Sequence, residues 1–191
     1  MCIIPSACLG CYARSAGTTK LTEHLEKLIF QVMPEFLNDS NGAMLTISQV
    51  VAEIVAYMRA EPDRRYRVTL GTDSELLADK DADFVTAVVV HRVGNGGRYF
   101  WRRFELGKFH TLRDRMIREA LISLELARKV LEELRKEPLP AFEFEIHADI
   151  GEQGPTRAVI QEIVGMIRAH NFEVRIKPFS YAATNVADRH V

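Results

Sequence analysis

RVTLGTDS, residues Arg67–Ser74, is an apolar, strand-like run that ends in an aspartate. Its valine, threonine and leucine favour a buried β-strand. An aspartate at the C-terminal tip of such a strand is costly to keep charged unless a cation lies beside it. Asp73 is therefore the first candidate functional residue, and a divalent ion is the leading candidate for its partner.

The elements around this strand predict an α/β fold. An antiparallel meander comes first, with the turn Gly94–Gly97 between its second and third strands, and crossover helices follow. That order predicts a mixed five-stranded sheet flanked by helices. The predicted strands are Arg67–Thr72, Phe84–Arg92, Arg98–Glu105, Phe142–Ala148 and Phe172–Lys177. The predicted helices of this region are Thr111–Arg135, Pro155–His170 and a short piece from Ala182.

Residues 1–63 are predicted to form an N-terminal helical extension, and residues 64–191 the main domain. One helix is expected at Thr22–Leu37, interrupted by Pro34, and a loop at 38–42. A second helix begins at Thr46, which forms a capping box with Gln49, and ends at Glu61-Pro62. The extension either packs on the main domain or projects from it.

Composition narrows the class of protein. The 191 residues are 47% hydrophobic, which is enough to build a folded core. The net charge of −1 shows that the chain is not a strongly basic nucleic-acid-binding domain. No run approaches the roughly 18 apolar residues of a membrane span. The first residues lack a secretory signal, so a cytoplasmic protein is expected.

Cysteines occur only near the start of the chain, at Cys2, Cys8 and Cys11. With His24 they could hold zinc, but reduced thiols are the simpler interpretation.

Two further carboxylates are predicted to join Asp73. At about 100° per residue, Glu119 projects from its helix along the inward direction of Leu112 and Val130, where a lone carboxylate is unusual. A salt-bridged glutamate at the helix margin is the structural alternative. Asp149 follows the strand Phe142–Ala148, and the carboxyl ends of strands are where ligands bind in open α/β sheets.

A metal ion would explain why such carboxylates lie together. If the first and fourth strands are neighbours, Asp73, Glu119 and Asp149 meet, and they repel one another unless a cation neutralises them. Hard oxygen ligands suit Mg²⁺ or Mn²⁺.

The order of these residues resembles the ribonuclease H-like superfamily. The motifs Gly71–Ser74, His147–Ile150, Lys177-Pro178 and Ala187–Val191 are more narrowly similar to the YkuK-like group of predicted RNase H-like nucleases, over about Arg65–Val191. The resemblance implies a hydrolase that cuts phosphodiester bonds of RNA, an RNA–DNA hybrid or DNA with two Mg²⁺ (or Mn²⁺) ions, leaving 3′-hydroxyl and 5′-phosphate ends.

The resemblance also implies the roles of four residues, which would be both catalytic and metal-binding. Asp73 would bridge both ions, Glu119 and Asp149 would complete one side, and Asp188 the other.

Basic residues offer candidate contacts to a nucleic acid. Arginines and lysines near the third strand interleave with Tyr99–Trp101, which suits phosphate binding and base stacking, or else a solvated strand edge with a buried aromatic face. These are Arg98, Arg102, Arg103, Lys108, Arg113 and Arg115. Further candidate phosphate contacts, nearer the carboxylates, are Lys177, Arg175 and Arg189. His147 is expected to be structural.

Two other functions remain open. A non-catalytic module that binds nucleic acid or protein could retain the same scaffold. A phosphotransferase of the wider superfold, as in sugar kinases and actin, is disfavoured because the chain lacks a Gly-rich phosphate loop and a duplicated second domain.

Overall fold

Seven strands and three α-helices make up the described part of the chain. The computed structural model describes residues 34–151, 155–180 and 186–190, and only the backbone of 155, 156 and 188. The strands are β1 (Phe36–Asn38), β2 (Met44–Thr46), β3 (Tyr66–Leu76), β4 (Ala82–Arg92), β5 (Gly97–Leu106), β6 (Phe142–Ala148) and β7 (Glu173–Arg175). The helices are α1 (Ile47–Arg59), α2 (Leu112–Leu134) and α3 (Ile160–Ala169), with 3₁₀ turns at Pro155–Val159 and Ala187–Arg189.

All seven of these strands form one mixed sheet in the order β2-β1-β5-β4-β3-β6-β7. The long strands β3, β4 and β5 pair antiparallel, as the predicted meander requires. The chain then crosses through α2, and β6 pairs parallel to β3 from Tyr66↔Phe142 to Thr72↔Ala148. The predicted first and fourth strands are therefore neighbours in the sheet.

The sheet differs from the prediction in having seven strands rather than five. The two additional strands, β1 and β2, form a hairpin where the end of a helix and a loop were expected. In its loop, Asp39 Oδ1 accepts the backbone N–H groups of Asn41 and Ala43, each at 2.8 Å, and Gly42 has φ 83°. Strands of three residues are too short to show a period of two, so the sequence predicted the loop but not the strands on either side of it. The expected helix before Pro34 lies outside the described residues, as do Cys2, Cys8, Cys11 and His24.

The helices pack on one face of the sheet. In α1, Ile54 and Met58 are fully buried, and burying each contributes about 1.5–3 kcal/mol. The predicted capping box at Thr46 and Gln49 is confirmed, and Thr111 caps α2 by accepting the N–H of Asp114. Because α1 shares its core with α2 and the central strands, the described part of the extension packs on the main domain.

A smaller apolar cluster lies on the opposite face. Val85, Ala87 and Val89 of β4 contact Val186 and Ala187 there, with Tyr99 and Trp101 of β5 packed against them. The last described segment, 186–190, therefore lies across the second face of the sheet. No helix in the described part of the chain combines the length and apolar character needed to cross a bilayer.

Candidate functional site

Asp73 and Asp149 follow the last paired residues of the parallel strands β3 and β6. The β3–β6 register ends at Thr72↔Ala148, so the two aspartates occupy the next positions on their strands. The prediction that Asp73 lies at the C-terminal tip of its strand is wrong, because β4 continues to pair with β3 as far as Leu76. What ends beside Asp73 is the partner strand β6.

Residues on either side of Asp73 face helix α2. Thr72 Oγ1 lies 2.8 Å from the hydroxyl of Ser123 on α2 and 3.1 Å from that of Thr86 on β4. Ser74, two positions on, also points to α2 and hydrogen bonds with Glu119. These hydroxyls fix the distance between β3 and the helix that carries the candidate carboxylate.

Asp73 itself points to the second face, because side chains alternate along a strand. Its antiparallel partner is Val85, which packs with Val186 and Ala187. Asp188 lies in the 3₁₀ turn Ala187–Arg189, which contacts β3 and β4. The backbone therefore brings the turn of Asp188 to the face of the sheet on which Asp73 lies.

Glu119 is buried, with 4% of its surface exposed, and accepts a hydrogen bond of 2.5 Å from the Ser74 hydroxyl. Its pKa is raised to about 8, mainly by burial and further by the negative charges of Asp73 and Asp149. The Ser74 hydrogen bond and the positive charge of Arg115 act in the opposite direction and lower the pKa. The inward position predicted from helical period is therefore observed. With that pKa, Glu119 is mostly protonated at neutral pH when no further cation is bound.

Glu119 and Asp149 face a common recess. Both line a small cavity of about 10 Å³ between β6 and α2, together with Thr72, Ser123 and Ile163. A space of that size holds about one water molecule.

Two cations of the protein accompany these carboxylates. Arg115 Nη1 donates to the carbonyl of Ser74, lies 2.9 Å from its hydroxyl and is 3.9 Å from Glu119 Oε1. Lys177 Nζ is 3.0 Å from Asp149 Oδ2, and the Lys177 N–H donates to Ile150 O at 2.9 Å. Part of the negative charge is thus balanced within the chain.

Metal ligation by all four predicted residues stays a prediction. Among the residues whose side chains are described, no three His, Cys, Asp or Glu side chains are grouped closely enough to hold a metal ion. The side chain of Asp188 is outside that set. Shared coordination by Asp73, Glu119 and Asp149 would therefore require rotation of some of these side chains.

The predicted phosphate-binding cations near β5 all have partners within the protein. Each contacts a protein partner: Arg98 with Glu53 at 2.6 Å, Arg103 with Asp83, Lys108 with Asp81 at 3.3 Å, Arg113 with Glu162 at 2.5 Å, Arg115 with Ser74, and Arg102 with the Pro34 carbonyl at 2.8 Å. Burial lowers the pKa of Arg102 to about 10. Phe100 is buried, which agrees with the alternative of a strand with a buried aromatic face.

Both histidines near the predicted motifs pack against protein groups. His147 is buried beside Glu145, with 3.4 Å between Nε2 and Oε2, as expected of a structural residue. His190 stacks on Trp101 with ring centroids 4.0 Å apart, and its carbonyl accepts from Arg103 at 2.9 Å.

The sequence reasoning missed the roles of Ser74 and Arg115. Strand alternation places Ser74 on the face opposite Asp73, which would have directed its hydroxyl toward the helix of Glu119. Arg115 precedes Glu119 by four residues, a spacing at which helical side chains meet.

The fold and the acidic site together define a class of protein. A three-stranded antiparallel meander, a crossover helix with an inward glutamate, and a parallel strand ending beside Asp73 agree with a family model described as Ribonuclease H-like, which matches residues 49–191. The chain belongs to this family.

A more particular relative is "Uncharacterized protein YkuK" of Bacillus subtilis (strain 168). It is 32% identical to this chain over 158 residues, which are 77% of this chain and 91% of the relative. The resemblance inferred from the motifs is confirmed. No solved structure matches the chain significantly.

Proposed function

We propose that this protein is a metal-dependent nuclease that hydrolyses phosphodiester bonds of RNA, an RNA–DNA hybrid or DNA, and that it acts in the cytoplasm. The observation that carries the proposal is Glu119, a buried carboxyl group hydrogen-bonded to Ser74 in a Ribonuclease H-like chain, whose pKa is raised by burial and, to a smaller extent, by the charges of Asp73 and Asp149. A buried acid with a raised pKa, on a helix beside strand ends that carry two aspartates, is typical of a functional site.

The donor chemistry suits Mg²⁺ or Mn²⁺. The proposed ligands Asp73, Glu119, Asp149 and Asp188 offer carboxylate oxygens alone, which hard divalent ions prefer. Two such ions, when bound, would lower the pKa of a water molecule and stabilise charge on the attacking and leaving oxygens. A nearby cation would also favour ionised Glu119, opposing the effect of burial.

The chain's own residues would prepare the site. Ser74 directs its hydroxyl at Glu119 Oε1 and fixes the orientation of that carboxyl group. Arg115 holds Ser74 through its carbonyl and hydroxyl oxygens. Lys177, half exposed and 3.0 Å from Asp149, is placed to meet a phosphate that approaches the carboxylates.

Cleavage by the purified full chain tests the proposal. Labelled RNA, RNA–DNA hybrid and DNA would be incubated with Mg²⁺, Mn²⁺ or EDTA, using the wild type and an Asp73→Asn, Asp149→Asn double variant. Asp63→Asn, at an exposed position outside the site, is the matched control. We expect metal-dependent cleavage by the wild type and by the control, and none by the double variant. Equal cleavage by all three proteins, or no cleavage of any substrate, would refute the enzymatic proposal.

A non-catalytic binding module is the second candidate. Lys177 and Arg115 favour it, because they offset acidic charge at the site within the protein itself. Titration calorimetry with Mn²⁺ separates the two: a nuclease must bind the ion at the carboxylates and lose that binding in the double variant, whereas a binding module need not bind it.

A further inference from the structure

The turn after β7 is fixed against the candidate site. The Lys177 N–H donates to Ile150 O at 2.9 Å, one residue beyond Asp149, and the Lys177 ammonium lies 3.0 Å from Asp149 Oδ2. The Phe179 N–H then donates to Ile176 O at 2.8 Å and closes the turn. Both the backbone and one side chain of this turn therefore contact the strand end that carries Asp149.

Phe179 projects from this anchored turn with 71% of its surface exposed. An aromatic ring left in water forgoes the stabilisation that burial would give it. Phe179 follows by two residues Lys177, whose half-exposed ammonium pairs with Asp149, so one short turn carries both an exposed ring and a cation.

Four other large apolar side chains of the described residues are exposed. Phe36 and Met44 belong to β1 and β2, at the opposite edge of the sheet from β7, and Val93 follows the end of β4, beside the start of β3. Leu76, 50% exposed, ends β3 three residues beyond Asp73. Of these five side chains, Phe179 is the one whose turn is bonded to the strand end that carries Asp149.

We propose that the turn Ile176–Phe179 binds an unpaired nucleotide, with the Phe179 ring stacked on its base and the Lys177 ammonium bound to an adjoining phosphate. This inference rests on the proposed nuclease function and narrows its substrate to single-stranded nucleic acid. A base in a strand without a partner presents a face on which an aromatic ring can stack, and stacking is tolerant of sequence. In a duplex those faces are covered by neighbouring base pairs.

Binding by the full chain in EDTA tests the inference without cleavage. Fluorescence anisotropy would follow labelled single strands of roughly 12 nucleotides and the matching duplex, with wild type, Phe179→Ala, Phe179→Trp and the control Phe36→Ala. Phe36 is also an exposed phenylalanine, 48% exposed, at the far edge of the sheet.

We expect Phe179→Ala to weaken single-strand binding by roughly 5- to 150-fold, the equivalent of about 1–3 kcal/mol of stacking. Phe179→Trp should retain the affinity, Phe36→Ala should match the wild type, and duplex binding should be weaker and insensitive to residue 179. Equal single-strand affinity of Phe179→Ala and wild type, or tighter binding of the duplex, would overturn the inference. A change of oligomeric state in Phe179→Ala with unchanged binding would assign the ring to a protein contact instead.

The two proposals fail separately. If Phe179→Ala weakens single-strand binding but the wild type cleaves nothing with Mg²⁺ or Mn²⁺, the nuclease proposal fails and the binding site stands. If the wild type cleaves and Phe179→Ala binds normally, the site at Phe179 fails alone.

Discussion

Glu119→Gln should abolish a pH dependence of stability that the wild type owes to one buried carboxyl group. The pKa of Glu119 is raised from 4.5 to about 8 in the folded protein. Between these values the folded state holds a proton that the unfolded state has released, so the free energy of unfolding falls as pH rises. The stability that the folded protein gains from holding this proton is fully present below about pH 4.5 and is lost as the pH rises through about 8.

The size of the effect follows from the shift. At about 1.4 kcal/mol per pKa unit, a change from 4.5 to about 8 corresponds to an upper value of roughly 5 kcal/mol. Relaxation around the charge would reduce this, so we expect about 2–5 kcal/mol, a large fraction of a typical domain stability of about 5–15 kcal/mol. Glutamine is uncharged, has nearly the same shape and can still accept the Ser74 hydroxyl hydrogen bond.

Urea denaturation followed by circular dichroism, in EDTA at pH values of about 5, 7 and 9, measures the difference. Glu119→Gln should match the wild type near pH 5 and exceed its stability increasingly above pH 7. Glu132→Gln, at an exposed position of the same helix, serves as the control and should follow the wild type. Parallel profiles for Glu119→Gln and wild type would refute the conclusion that the Glu119 carboxyl is buried and neutral.

Further perturbations test the surroundings of the site and the core. Ser74→Ala removes a donor to Glu119 and should cost about 1–2 kcal/mol by urea denaturation and weaken Mn²⁺ binding measured by calorimetry; unchanged values of both would contradict the assigned contact. Ile54→Ala should cost about 2–5 kcal/mol, since Ile54 is fully buried, whereas a loss below about 0.5 kcal/mol would mean that α1 does not belong to the core. Lys177→Gln should change stability by less than about 1 kcal/mol, because Lys177 is half exposed, yet tighten Mn²⁺ binding several-fold by removing a positive charge beside Asp149. Weaker Mn²⁺ binding by Lys177→Gln would show that the ammonium does not compete with the ion.

Sequence by itself determined the elements whose signals are local. Long apolar runs indicated β3, β4, β5 and β6, the helical period placed Glu119 on the inward side of α2, and a capping box marked the start of α1. The order of these elements predicted a mixed sheet, which is observed. The acidic residues and short motifs carried the resemblance to a Ribonuclease H-like family, which the comparisons confirm. Predictions of this kind succeed because a strand or a helix repeats its pattern over many neighbouring residues.

Tertiary structure alone decided what depends on distant partners. The β1–β2 hairpin adds two strands, and β4 extends β3 past Asp73, because pairing with another strand can satisfy a backbone whose own sequence signal is weak. The ion pair of Lys177 with Asp149 forms between segments that are far apart along the chain. The burial that raises the pKa of Glu119 also depends on the packing of distant segments. The energy of a charged group depends on its distance from other charges and on how far the fold buries it from water. Neither quantity can be read from the order of residues along the chain.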